Sequence, residues 1–316
     1  MGKVYFLLII LIPFISSCSN KLEAKEIKIP TEKKEVKTVS TENNQLKWQL
    51  PKIPDEITFA GEKVEFDDLD LKERLDYELI VNNYWHSNTY ITMKLAHRWL
   101  PEMKAILKQE GVPEDLIYVA IIESGLRNVV SPAGAKGFWQ FMESAGEEYG
   151  LIINSQVDER YHLEKSTRAA CMYLKKAYRK FDSWFLAAAA YNRGMNGIQR
   201  DLEAQQVNNF FDLSLNSETA RYIFRLFAVK LIFENPEEYG FVLTEEDLYP
   251  PYKTKDIVVD KTIESIHEWA IKHKVSTKIV RKLNPWIIGQ SLEVKPNNKW
   301  IVKLPENTEQ LRLIGG

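Results

Sequence analysis

The chain has 316 residues, a length that suits about two domains at roughly 100–200 residues each. Hydrophobic residues make up 45% and charged residues 27%, a balance that excludes a wholly disordered chain and a polytopic membrane protein. Forty-two basic against 44 acidic side chains leave a net charge of −2, so the whole chain carries no electrostatic signature for nucleic acid, and two cysteines cannot build a disulfide scaffold.

Residues 1–17 read as a secretory signal: Lys3, then an almost wholly apolar run from Val4 to Ile15, then Ser16 and Ser17. The run is too short for a membrane span of about 20 residues, and Pro13 interrupts it. Ile15-Ser16-Ser17-Cys18 resembles a bacterial lipobox, which implies cleavage before Cys18 and lipidation of its thiol; a plain signal peptide with an incidental cysteine is the alternative. Residues 18–60 are rich in Lys and Glu, with scattered Pro and no apolar periodicity, and read as a flexible tether with an r.m.s. span of about 35–40 Å.

From residue 61 to 248 the pattern predicts a helical domain. Leu95, Trp99, Met103, Ile106 and Leu107 recur at spacings of three and four. A helix is expected to start at Pro113, and others to span Glu164–Phe181, Ser183–Tyr191 and Ser217–Asn235. Cys171 reads as a small buried hydrophobe. After Pro250-Pro251 the character changes. Ile257-Val258-Val259, Thr262–His273, Ser276–Leu283 and Trp300-Ile301-Val302 predict strand, helix, helix, strand in one small domain over 251–316. That domain carries 12 basic and 7 acidic side chains, a surface suited either to an anionic polymer or merely to solubility. All the chemistry-bearing motifs lie upstream, so its removal is expected to leave them assembled.

The stretch Gly111–Gly125 holds the first of them. Counting back from Glu123 by three, four and seven gives Ala120, Val119 and Leu116, so the carboxylate continues an apolar helix face. Burial raises a carboxylate's pKa, and the negative end of the helix dipole before Gly125 acts the same way. Both keep the proton on, as a general acid near neutral pH requires. The same residue would also simply mark where a helix surfaces. Ser131–Met142 packs Pro132, Gly134 and Gly137 into a loop, expected to enter an apolar helix and able to approach a ligand closely. Ala187–Gly194 is an alanine run ending in Tyr191 and Asn192, equally readable as close helix packing. The five histidines (86, 97, 162, 267, 273) show no ligand spacing, so no metal and no cofactor are expected, and Glu143, Glu147 and Glu148 read as a solvated face.

Together the pieces resemble the lytic transglycosylase domain of bacterial murein-cleaving enzymes, most closely the membrane-bound murein transglycosylase D group. The family's Glu-Ser-Gly matches Glu123-Ser124-Gly125, and its Gly-Ala-x-Gly-x-Trp-Gln-Phe-Met loop matches Gly134–Met142. Its Ala-Tyr-Asn-x-Gly matches Ala190–Gly194, and its Glu-Thr-x-x-Tyr matches Glu218–Tyr222. The resemblance spans roughly 85–240. It departs beside two motifs, with Leu126-Arg127-Asn128-Val129 in place of an aromatic and Asn-Pro, and Glu143 in place of Pro. The strand–helix–helix–strand tail resembles a divergent LysM domain, with Asp260-Lys261 where Gly-Asp is usual.

The resemblance implies a mainly α architecture, a lysozyme-like helical transglycosylase domain followed by a small α+β LysM-like domain. It implies cleavage of the MurNAc–GlcNAc bond of peptidoglycan without water, giving 1,6-anhydro-MurNAc, with Glu123 as acid and then base. Ser124, Gln140, Tyr191, Asn192 and Tyr222 are expected to bind substrate. Peptidoglycan strands are the expected partner, with the protein held through Cys18 in the periplasm at the outer membrane. The rivals are a hydrolytic muramidase on the same fold and a non-catalytic wall-binding scaffold.

Overall fold

The computed structural model describes residues 50–307 and residue 311. The signal peptide, Cys18 and most of the tether lie outside the described residues. The described chain opens with a hairpin, β1 (Glu56–Phe59) and β2 (Glu62–Glu65), antiparallel with Phe59 opposite Glu62. Ala60 and Gly61 both take positive φ (53° and 83°), the two-residue turn that matches strand twist. Ile57, Phe59, Val64 and Phe66 alternate inward and are buried in the main core. Asp115 accepts the Ala60 amide at 2.7 Å, and Glu62 accepts the Ser183 hydroxyl at 2.9 Å. The tether expected through residue 60 therefore stops short of that point. The alternation of apolar residues about Ala60-Gly61 gives the segment a buried face that a tether lacks.

Eight helices follow: α1 (Leu69–Tyr84), α2 (His86–Glu110), α3 (Ile117–Ser124), α4 (Glu143–Glu148), α5 (Leu163–Phe181), α6 (Trp184–Arg193), α7 (Met195–Gln205) and α8 (Ser217–Glu234). Pro113 precedes a single 3-10 turn, and α3 proper starts at Ile117. Three of the long helices have a clear start signal. Asp68, Ser183 and Asn216 cap α1, α6 and α8 through side-chain oxygens that accept the N–H groups of Leu71, Leu186 and Thr219. Ala187–Ala190 are all fully buried, so α6 runs through the centre of the domain with neighbours packed close. Cys171 is buried on α5, and burial pushes its thiol up to about 12, which leaves it inert.

Phe138–Met142 does not form the expected helix. Phe138, Trp139 and Phe141 are buried, but Gly137 and Gln140 take φ of +82° and +50°, and α4 begins only at Glu143. Gly137 has no alternative: a Cβ there would stand 1.9 Å from the Arg160 carbonyl oxygen. Arg160 is itself fixed inside the domain, paired at 2.7 Å with buried Asp158. Burial pushes Asp158 up, but hydrogen bonds from Arg160 and Lys136 overcome it and hold the carboxyl below its ordinary value. Glu143, Glu147 and Glu148 face solvent as expected.

The tail forms the strand–helix–helix–strand order read from sequence: β3 (Thr254–Val259), α9 (Ile266–Lys272), α10 (Thr277–Leu283) and β4 (Trp300–Pro305), with β3 antiparallel to β4. It has its own core, which includes Ile266, Val280, Leu292 and Val302. That core also takes in Val157 from the helical domain, 1% exposed. Around it, Gln156 is gripped on three sides. Its carbonyl accepts from Ile288 and Gly289 (2.9 and 3.0 Å), its amide donates to Ser291 Oγ at 2.8 Å, and its Oε1 accepts from Glu293 N at 3.0 Å. A Cβ on Gly289 would meet Gln156 Cα at 2.8 Å, so the glycine permits the approach. The tail is docked on the loop that carries Asp158 and Arg160, the loop against which Gly137 rests.

Candidate active site

Glu123 sits one residue before the end of α3, a helix whose Ile117–Ile121 are all buried. Gly125 ends the helix at φ +58°, donating its N–H to Ile121 O. Glu123 is half-buried, and a cleft of about 230 Å³ opens beside it. Asn82, Thr89, Thr92, Arg127 and Arg225 supply polar wall to that cleft, and Ile121, Val229 and Phe233 supply apolar wall. Tyr222 of α8, wholly buried, donates its hydroxyl to Glu123 Oε1 at 2.6 Å.

Two influences compete at this carboxyl. Burial pushes its pKa up and prevails; the Tyr222 hydrogen bond and the Arg225 charge pull down, and Glu218 adds a smaller upward push. Arg225 lies one turn beyond Tyr222 and donates Nη2 to Ile122 O at 2.8 Å, which fixes α8 against the end of α3. Burial also lifts the Tyr222 phenol well above its ordinary value, so it remains a donor. The result is a carboxyl that keeps its proton to higher pH than an ordinary glutamate and has, in Tyr222 and Arg225, partners for the negative charge once the proton leaves.

The other expected site residues meet around this point. Tyr191 at the end of α6 donates to Trp139 O at 2.8 Å and packs its ring on Tyr173 with centroids 5.1 Å apart. Asn192 donates Nδ2 to Glu218 Oε1 at 2.9 Å and accepts the Thr219 hydroxyl on Oδ1 at 2.8 Å. Gln140 donates Nε2 to Gly137 O at 2.8 Å and to Val129 O at 3.1 Å. The four motifs thus form one hydrogen-bonded unit, loop to α6 to α8 to α3. Gln140, Tyr191 and Asn192 do not line the 230 Å³ cleft. Ser124 lines it, but its hydroxyl donates to Ala120 O at 3.0 Å within its own helix.

Sequence reasoning missed Arg225, whose signal was its i+3 spacing from Tyr222, and Arg127, which lies outside the motifs. Among the described residues no group of three or more His, Cys, Asp or Glu is placed to hold a metal ion. His162 is half-buried as the cap of α5 and pushed down to about 4, so it stays neutral.

Two protein-family models match the chain. The transglycosylase SLT domain family matches residues 102–213, and the soluble lytic transglycosylase C-terminal LysM-like domain family matches residues 255–308. Membrane-bound lytic murein transglycosylase D of Escherichia coli K12 is 31% identical over 147 residues, 45% of this chain and 32% of that protein. The chain carries a transglycosylase SLT domain and is homologous to membrane-bound lytic murein transglycosylase D. A putative tributyltin chloride resistance protein of Alteromonas sp. M-1 is 26% identical over 114 residues, 35% of this chain and 55% of that protein. A crystal structure of an inactive mutant of lytic transglycosylase Slt from Pseudomonas aeruginosa overlays with a TM-score of 0.34 at 16% identity, over 48% of this chain and 26% of that one. The chain spans about a third of the length of the murein transglycosylase relative. The expected architecture, a mainly helical transglycosylase SLT domain followed by a small LysM-like tail, is borne out. The SLT match ends before α8, so Tyr222 and Arg225, the partners of Glu123, lie beyond it.

Proposed function

We propose that this protein is a peptidoglycan lytic transglycosylase acting in cell-wall turnover. Glu123 gives its proton to the glycosidic oxygen between MurNAc and GlcNAc, and the bond to the MurNAc anomeric carbon breaks. The N-acetyl group of MurNAc stabilises the positive charge, a substrate-assisted route that needs no second carboxylate. The Glu123 carboxylate then takes the proton of the MurNAc 6-hydroxyl, and that oxygen closes on the anomeric carbon. Glu123 is protonated again, no water is consumed, and the product is the 1,6-anhydro sugar.

The observation that carries this reading is the pairing of a burial-raised Glu123 with Tyr222 at 2.6 Å. A residue that is acid and then base in one cycle needs its two states close in free energy. Burial favours the acid form, and Tyr222 and Arg225 favour the base form. Gln140, Tyr191 and Asn192 are assigned to positioning: their side chains hold the loop and α8 around the acid. Ser124 is assigned to the helix end rather than to substrate.

Residues 1–17 are assigned as the signal peptide and Cys18 as the lipidated residue that holds the enzyme in the periplasm, at the outer membrane. A diacylated, N-acylated cysteine buries many methylenes at about 0.8 kcal/mol each, enough for stable anchoring. Cys18→Ala should move the protein into the soluble fraction; pelleting with membranes after a salt wash would refute the anchor. Digestion of purified sacculi tests the activity. The proposal expects muropeptides one water lighter than their hydrolytic counterparts, and free reducing ends would mean a hydrolase.

A further inference from the structure

A second cleft, of about 750 Å³, lies between the helical domain and the tail and is larger than the one at Glu123. Its walls come from α2, the start of α5, the Tyr252 linker, the end of α10 and β4. Arg127 lines both clefts, so they adjoin along the segment that leaves Glu123. Five cations of the lining, Arg98, Arg127, Arg281, Lys282 and Lys299, have no carboxylate within 4 Å among the described residues. Trp99, Tyr252 and Trp300 give it flat apolar wall.

The cleft is not simply cationic. Glu102, Glu164 and Asp256 share it, and Glu102, raised by partial desolvation, has no ion pair among the described residues. A pure polyanion would meet these carboxylates unfavourably. A peptide would not: its carboxylates face cations that have only neutral partners, such as Arg98 on Pro250 O and Arg281 on Gly289 O, its amide and ammonium N–H groups face Glu102 and Asp256, and its aliphatic parts face the aromatic wall.

We propose that the cleft between the domains binds the acidic peptide carried on the glycan, so that the enzyme selects peptide-substituted strands over bare ones. This rests on the glycan-cleaving reading. The peptide hangs from the lactyl group of MurNAc, the sugar that Glu123 must approach, and the shared Arg127 wall puts the second cleft next along the path. The tail then contributes Lys282, Lys299 and Trp300 to substrate choice instead of acting as a distant tether.

Binding to the full chain carrying Glu123→Gln, which prevents turnover, tests the idea by tryptophan fluorescence and calorimetry. The ligands are a soluble peptide-bearing tetrasaccharide and the same fragment stripped of peptide by an amidase. We expect the peptide form to bind about ten-fold tighter, or about 1.4 kcal/mol. Lys282→Glu with Lys299→Glu, both at exposed positions, should abolish that preference and leave the stripped fragment within two-fold. High salt should narrow it too. Equal binding of the two fragments, or a preference that survives charge reversal, overturns the inference and leaves the glycan reading intact. Binding of neither fragment overturns both. Tight binding of inorganic polyphosphate without response to peptide would assign the cleft to an anionic polymer and overturn the peptide assignment.

Discussion

Gly137→Ala separates the effect of loop geometry from that of the catalytic group. The added methyl would stand 1.9 Å from the Arg160 carbonyl oxygen and 2.8 Å from its carbon, both backbone atoms, so no side chain can swing aside. The backbone at φ +82° adds the left-handed penalty of about 1–2 kcal/mol for an L-residue. Displacing packed backbone costs about 1–3 kcal/mol more. A total of about 2–5 kcal/mol lowers the melting temperature by about 5–15 °C at this domain size. The protein still folds, but the loop moves, and with it the Trp139 carbonyl that holds Tyr191. Misplacement of about 1 Å costs about 100-fold in turnover. Gly134→Ala is the control. Its φ is +89° but nothing lies within 4 Å of the new Cβ, so only the backbone penalty remains. Calorimetry and release of soluble muropeptides measure both variants. Equal behaviour of the two, with wild-type melting and turnover, would refute the claim that the Arg160 contact shapes the site.

Tyr222→Phe removes a donor that favours the Glu123 carboxylate, so the pKa of Glu123 should rise further; turnover should fall about 10- to 100-fold and the alkaline limb of the pH profile should move up, and an unmoved profile would count against the pairing. Glu123→Gln should gain stability with pH. Burial raises the folded-state pKa above the unfolded value, so this group favours folding below about pH 4 and opposes it as pH rises through the folded value. The variant's advantage in melting temperature should therefore open between acid and neutral pH, and a gap independent of pH would refute the burial argument. Removing residues 251–316 uncovers Val157 and frees Gln156, so it should destabilise the helical domain by about 2–3 kcal/mol and lower turnover of a short soluble strand as well as of sacculi. Unchanged melting would mean the docking contributes nothing.

Much of this was legible in the residues because the signals were local. The apolar periods behind Glu123, the capping residues and the proline boundary at 250–251 each act over a few positions, and the helices and the strand–helix–helix–strand tail followed. Three features were not local. The hairpin at Ile57–Val64 reads as a strand pair only once its alternation is set against the core that receives it. The Phe138–Phe141 run has a helix-compatible pattern, and what stops it is contact with Arg160, more than twenty residues on. The docking of the tail depends on Gln156 and Val157, which carry no motif. At the site, the sequence singles out Glu123 and Tyr222, and the structure pairs them, but the partners of Tyr191 and Asn192, Trp139 and Glu218, lie in other motifs and were not legible.

The central claim is that Glu123 acts as acid and then base in a reaction without water. Digestion of sacculi in water enriched in heavy oxygen, followed by mass spectrometry, tests it most directly. The account predicts 1,6-anhydro products with no label from the wild-type protein, and product lowered by at least about 100-fold from Glu123→Gln, which keeps the shape but cannot donate the proton. Labelled reducing ends, or anhydro product at a near-normal rate from the Gln variant, would contradict it.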